Sequence, residues 1–272
     1  SRIEPGRMFL LDTEEGRLVD DAEIKKDLAG QQPYGRWLKD NKITLDDLPE
    51  PGQSYGTDFK TLRERQKTFG YTLETLHMIM EPMASNGSEP VGSMGNDVPL
   101  AVLSNHTPIL FNYFKQLFAQ VSNPPLDAIR EELVTSVETF IGSGGNLFQE
   151  TPEQCHQLNL KAPVLTNKEL EKIRAGLEGK LKTKTLSTLF NANAGLGSLK
   201  KAMDSLHMKA SKSIKEGYSI LILSDRGVDN DHIPIPSLLA TSGLHHHLIR
   251  EGNRNKVDLV VESGEPCEVA HF

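Results

Sequence analysis

Thr183–Val261 reads TKTLSTLFNANAGLGSLKKAMDSLHMKASKSIKEGYSILILSDRGVDNDHIPIPSLLATSGLHHHLIREGNRNKVDLVV, and the succession of its patterns decides the fold. Thr183–Phe190 alternates as a strand does. Leu199–Glu216 carries Leu199, Met203, Leu206 and either Met208 or Ala210 on one side, the spacing of a helix, and Gly217 is placed to end it. Tyr218–Leu223 (YSILIL) is nearly continuous in apolar residues, as a strand covered on both faces must be. Ile235–Arg250 is a second helix, closed by Gly252, and Val257–Val261 (VDLVV) is a third strand. Strand–helix–strand–helix–strand implies parallel strands joined by helical crossovers. The expected class is α/β, with a partial barrel-like parallel sheet and a short mixed extension before it.

Towards the N-terminus, Ser93–Leu147 holds the densest apolar periodicity. Leu110, Phe114, Leu117, Phe118 and Val121 fall on one helical face. Asn123-Pro124-Pro125 ends that helix and starts another, because the residue before a proline is pushed out of the helical region. Asp127 suits the first turn of the new helix, whose apolar face is Ile129, Leu133 and Val137. Phe111, Tyr113, Phe114 and Phe118 lack a surrounding basic patch and are expected in the core. Met8–Asp12 predicts a strand, Asp20 or Asp21 caps a helix through Leu28, and Pro33–Asn41 is a second short helix. Ile43–Thr57 is rich in Pro, Gly and Asp and reads as a linker. Thr72 starts a further helix along Leu73 and Leu76, with a loop expected over Pro82–Pro99. Residues 1–50 are therefore taken as a connecting segment and 51–272 as one α/β domain.

With 272 residues, the chain is long enough to bury a large core. A formal charge of −7, spread along the sequence, argues against a nucleic-acid partner. No apolar run reaches the length of a bilayer span, so no membrane partner is expected. The two cysteines, Cys155 and Cys267, form no CxxC pair and no cluster spacing, and their scarcity fits a reducing cytoplasm or plastid stroma. Ser1 in place of methionine, and an apolar aromatic at Phe272, lead to the expectation of a piece from a longer polypeptide.

The candidate sites are few. Asn193–Ser198 (NAGLGS) lies between a strand and a helix, but Lys200 stands where a dinucleotide loop needs its third small residue. A tight turn capped by Ser198 is the expectation. Asp225 and Arg226 follow the YSILIL strand, at the end where α/β sheets place ligands. They could bind a carboxylate or move a proton; equally, they could pair with each other or cap a neighbouring helix. His245-His246-His247 are adjacent on a helix, so their rings point about 100° apart and do not converge on one metal ion. GxSxG, Walker A and kinase signatures are missing from the sequence. At the Pro-locked corner, Ser122 and Asn123 offer a hydroxyl and an amide that hydrogen-bond without titrating. That chemistry suits guiding a small neutral polar molecule, while a helix cap is the plainer role for Asn123.

Three long strings carry a family resemblance. SMGNDVPLAVLS…YFKQLFAQVSNPPLDAIREELVTS…GSGGNL resembles the central region of the glutamate synthases. PGRMFLLDTEEGRLVDD is similar to the segment leaving their glutaminase domain, and ILILSDRGVDNDHIPIPSLLATSGLHHHLIREG to the last part of the central domain. The resemblance implies an α/β domain between two reaction centres. In one, an N-terminal cysteine hydrolyses glutamine; in the other, an FMN and iron–sulfur domain converts ammonia and 2-oxoglutarate to L-glutamate. Those cofactors are expected in the full-length enzyme and not in this chain. It further implies ferredoxin or a nicotinamide-dependent small subunit as electron donor, and a place for Ser122 and Asn123 on the wall of the ammonia tunnel. Catalytic, cofactor-binding and metal-ligating residues are expected in the flanking domains. The likeness departs at Ala270, where relatives often carry a histidine, and at Cys267.

Overall fold

The structure is a computed structural model describing residues 4–52, 56, 58–90, 95, 102–105, 107–118, 126–177 and 181–272. It begins with an antiparallel hairpin, β1 (Leu10–Asp12) and β2 (Arg17–Val19), in which Leu11 faces Leu18. Helix α1 (Asp21–Ala29) starts where the Asp20 carboxylate accepts the Ala22 N–H, and α2 (Tyr34–Asn41) follows. Then come β3 (Ile43–Thr44), α3 (Leu62–Thr68), and a π-helical turn, Thr75–Met80, that runs into α4 (Glu81–Asn86). Helix α5 (Ala128–Val134) and strands β4 (Thr139–Ile141) and β5 (Leu158–Leu160) precede α6 (Asn167–Ala175). A reciprocal Thr166–Glu169 capping box starts α6.

The α/β unit comes last: β6 (Thr183–Ser187), β7 (Leu189–Asn191), α7 (Ser198–Lys215), β8 (Ile220–Ser224), β9 (His232–Pro234), α8 (Ser237–Arg250) and β10 (Asp258–Glu262). Strands β10, β8 and β6 form a parallel sheet in that order. It does not close into a barrel among the described residues. Every residue of β8 is buried, as the continuous apolar run requires. Its side chains alternate between two cores. Leu221 and Leu223 meet Leu206 and Ala210 of α7 and Ala240, Leu244 and Leu248 of α8. Ile220 and Ile222 face the other way, onto Leu158, Leu160, Leu170, Ile173 and Ile43. Ala210, rather than exposed Met208, completes the inner stripe of α7.

Several expectations are corrected. The run Thr183–Phe190 is two strands, not one. At Thr188 the chain leaves the parallel sheet, its N–H and hydroxyl both donating to the Ser224 carbonyl, and β7 turns to pair with β9. The linker expected over Ile43–Thr57 starts as a strand, β3 pairing in parallel with β5, and buries Ile43 and Leu48. Buried Lys172 ties this stretch to α6 through the Leu45 carbonyl at 3.3 Å and Glu50 at 2.7 Å. Pro82 sits within the first turn of α4, so the loop expected from there begins only after Asn86.

Of the helix expected through Leu110–Val121, residues 119–121 lie outside the described residues, and within Leu110–Phe118 it is a 3-10 turn, Leu110–Tyr113. Phe111 is buried, but Tyr113, Phe114 and Phe118 are exposed, Phe114 by 72%, so three of the four aromatics expected in the core are not there. Helix α5 does form, with Asp127 capping the Ile129 and Arg130 N–H groups, yet Ile129 is 91% exposed and Leu133 nearly as much. Helical stability comes mainly from burying an apolar face. Where no described residue covers the face, weak aromatic helix formers hold only a short turn. Ser122 and Asn123 lie outside the described residues.

Candidate functional site

In the parallel register Ser187, Ser224 and Glu262 end level with one another, so the polar groups gather at the C-terminal edge of the sheet. Glu262 is the hub. One carboxylate oxygen accepts from Arg226 Nε at 2.7 Å; the other accepts from Arg174 at 3.0 Å and the Ser224 hydroxyl at 2.5 Å. Burial works to raise the Glu262 carboxyl, but these donors outweigh it and hold the group below its ordinary range. Arg226 also reaches Asn167 at 3.4 Å, and Arg174 reaches Glu171 at 3.1 Å.

Asp225 turns to a different set of partners. It is 7% exposed. The Ser263 hydroxyl donates to it at 2.5 Å and the Gly264 N–H lies 3.3 Å from both oxygens. Burial pushes its carboxyl up to about 6 despite those two donors. Gly264 is pressed against the Phe69 ring, and its carbonyl accepts from the Tyr71 hydroxyl at 2.8 Å. Burial raises that phenol to about 12. One residue on, the Glu265 carboxylate accepts both the Ser237 N–H and its hydroxyl at 2.6 Å, capping α8 where Pro236 cannot.

The chain then closes on itself. His271 Nε2 lies 3.1 Å from Glu268, which Lys115 also meets at 3.1 Å. Its Nδ1 accepts the Cys267 N–H at 3.0 Å, so the proton of the neutral ring is assigned to Nε2. Burial lowers the affinity of this imidazole for a second proton, against the pull of Glu268. The ring stacks on Phe111 with centroids 4.2 Å apart. Burial, then the Glu268 charge, pushes the Cys267 thiol up to about 11, which leaves it protonated and weakly nucleophilic at neutral pH. A cavity of about 870 Å³ is bordered by Phe114, Lys115, Leu239 and Val269, and one of about 540 Å³ shares Phe111, Leu238 and His271 with it.

The remaining motifs part company. Gly197, in the left-handed conformation at φ 82°, occupies the cap position of α7, and Ser198 is the first helical residue. Of the three consecutive histidines, His245 accepts from Arg254 at 3.0 Å, while His247 faces Ser211 and Glu251 on another side. Asp225 and Arg226 share a strand end but take separate partners. Glu262 was absent from the residues singled out in the sequence, although its place directly after VDLVV marks it as the counterpart of Ser224. The Lys115–Glu268–His271 cluster had no such signal, since its members are brought together over 153 residues.

A family model for the glutamate synthase central domain matches residues 64–272. The chain belongs to that family. A second model, class-II glutamine amidotransferases, matches residues 1–37. This central-domain chain is 44% identical over 272 residues to the NADPH glutamate synthase large chain of Bacillus subtilis (strain 168), covering 100% of the chain and 17% of that protein. Its identity to the chloroplastic ferredoxin-dependent glutamate synthase of Oryza sativa subsp. japonica is 40% over 273 residues, covering 99% and 17%. With the NADH glutamate synthase of Schizosaccharomyces pombe it shares 38% over 282 residues, covering 100% and 13%. The chain thus spans 13–17% of the length of these relatives. Among the described residues no helix is long and apolar enough to cross a membrane.

Proposed function

We propose that this chain is the connecting part of a glutamate synthase polypeptide, holding a glutaminase domain and an FMN/iron–sulfur synthase domain in register while making no bond itself. In this reading residues 1–50 are the segment following the glutaminase domain and 51–272 the central domain. The parent enzyme is an oxidoreductase that forms L-glutamate from glutamine and 2-oxoglutarate. It draws electrons from ferredoxin or a nicotinamide-dependent small subunit, in the cytoplasm or a plastid stroma. The carrying observation is the succession of two matches along one chain, a class-II amidotransferase over residues 1–37 and the synthase central domain over 64–272.

The chemistry of the site supports it. Glu262, Asp225, Glu265 and Glu268 are all engaged by neighbours of this chain, and the half-buried Cys267 thiol stays protonated. Two cysteines do not fit a cluster held by three or four thiolates, so no step is assigned to such a group here.

The finer part of the proposal is that Ser122 and Asn123 line the path of ammonia between the two centres. In the full-length polypeptide, Asn123→Leu places a branched apolar group on that path. The expected result is more glutamine hydrolysed than glutamate formed; matched rates would overturn the assignment and leave Asn123 a helix cap. A second reading, an independent α/β enzyme working at Asp225 and Arg226, is favoured by one observation, the buried carboxyl near pKa 6. It requires an activity of this chain that Asp225→Asn abolishes without unfolding it.

A further inference from the structure

Away from the strand end, α7 and α8 meet through two imidazoles. The His207 and His247 rings are parallel to within 5°, their centroids 4.4 Å apart. Their surroundings differ. His247 Nε2 lies 3.0 Å from the Ser211 hydroxyl and 3.3 Å from Glu251, and Ser211 in turn donates to Glu251 at 2.6 Å. His207 Nε2 is buried and has no hydrogen-bond partner among the described residues. The α8 backbone closes over it at Gly243, where an added Cβ would lie 3.6 Å from Nε2 and 2.4 Å from the Met203 methyl.

We propose that this stack is a proton-sensitive joint between α7 and α8, which accepts one proton, on His247, and refuses a second on His207. A carboxylate beside His247 can balance an imidazolium there, and a neutral ring lying flat on a charged one is attracted to it. Two charged rings at this separation repel, and a proton on the enclosed Nε2 would find no acceptor among the described residues.

The charged groups around the pair are mixed. From α7, Asp204 favours charge on His207 but is already paired with Lys200 at 2.9 Å. From α8, Glu251 favours it while His247 and Arg250 oppose it, and Lys215 of α7 acts on Glu251. Burial comes first among the causes that lower His207 below the ordinary value of 6.5. The sign follows directly. The folded chain binds a proton at His207 less readily than the unfolded chain, so this contribution to stability is complete above 6.5 and is lost as pH falls from there through the lowered folded value. Helix α8 runs from this joint to Ser237, which Glu265 holds, so loosening the joint acts on an element of the strand-end cluster.

The test is an NMR titration of the imidazole protons of the 272-residue chain, assigned with His207→Phe and His247→Phe variants. The expected result is that the His207 ring takes up its proton below the ordinary imidazole value of 6.5 and in a step separate from the ring stacked on it. Beside it, urea unfolding at pH 7.5 and 5.0 compares the parent chain with His207→Phe, which keeps a stacked ring without a titrating nitrogen. The variant should lose less stability on acidification than the parent chain, because it has no nitrogen whose proton the fold resists. Rings that titrate together, or equal acid losses in the two chains, would overturn the proposal. Should the variant fail to fold, the titration of the parent chain, assigned through His247→Phe alone, decides the matter.

Discussion

Replacing Asp225 by asparagine converts a buried carboxyl that titrates into an amide that cannot. The folded group protonates near 6 and its unfolded reference is 3.8. Because the folded value is raised, the protonated acid is the form the fold prefers. Its contribution is complete below the unfolded value and is lost as pH rises through about 6. A shift of this size corresponds to about 3 kcal/mol between the two plateaus, of which about 2 kcal/mol falls between pH 4.5 and 7. The substituted amide can still accept the Gly264 N–H with its oxygen, and its NH₂ can donate to Ser263 once that hydroxyl turns. The assay is urea unfolding of the parent chain and Asp225→Asn across pH 4.5–7.5, read as the difference between them. Groups common to both, such as Glu262, drop out to first order. The difference should move in favour of the variant by about 2 kcal/mol as pH rises over that window. Parallel curves would refute the claim that Asp225 is a desolvated acid.

Glu262→Gln leaves Arg174 and Arg226 facing an amide. Since these side chains are 22% and 38% exposed, the cost in urea unfolding should be about 2 kcal/mol, below the range for a fully buried pair. An Arg174→Met background should reduce that cost, and strict additivity would contradict the hub. Gly264→Ala drives a methyl to 2.5 Å from the Phe69 ring, so a loss of about 1–3 kcal/mol is expected, partly restored by Phe69→Leu. If Gly264→Ala unfolds at the same denaturant concentration as the parent, the packing of residues 69–71 on the strand end is wrong. On α5, Ile129→Gln with Leu133→Gln should change stability by less than about 0.5 kcal/mol, because both side chains already face solvent. A large loss there would mean that the helix face is covered.

The parallel unit was legible because its signals are local and redundant. A continuous apolar run at 220–223, amphipathic helices on either side and glycine stops at Gly217 and Gly252 all agree. The same reasoning misjudged Leu110–Phe118, where helical spacing stands in for burial. Periodicity reports which residues could share a face, and only a partner surface makes that face a helix. Linker composition at Ile43–Thr57 hid a two-residue strand, since turn-rich residues say little about one apolar pair that finds a core. At the candidate site Asp225 and Arg226 were readable from their place after a strand. Their separate partners were not, because Glu262, Ser263 and Arg174 arrive through sheet register and a neighbouring helix. The three adjacent histidines show a mixed case: helix geometry predicted divergence, and His245 and His247 do take different partners, but the His245 and His246 rings meet edge to face with centroids 5.2 Å apart.

The central proposal, that this chain connects reaction centres and runs no reaction of its own, is tested most directly on the 272-residue chain itself. The measurement is glutamine hydrolysis and flavin absorbance after incubation with FMN and removal of the free cofactor, on protein shown by circular dichroism to unfold cooperatively. A folded, colourless chain that releases no ammonia is the predicted result. Retained flavin, or turnover of glutamine by this chain alone, would contradict it.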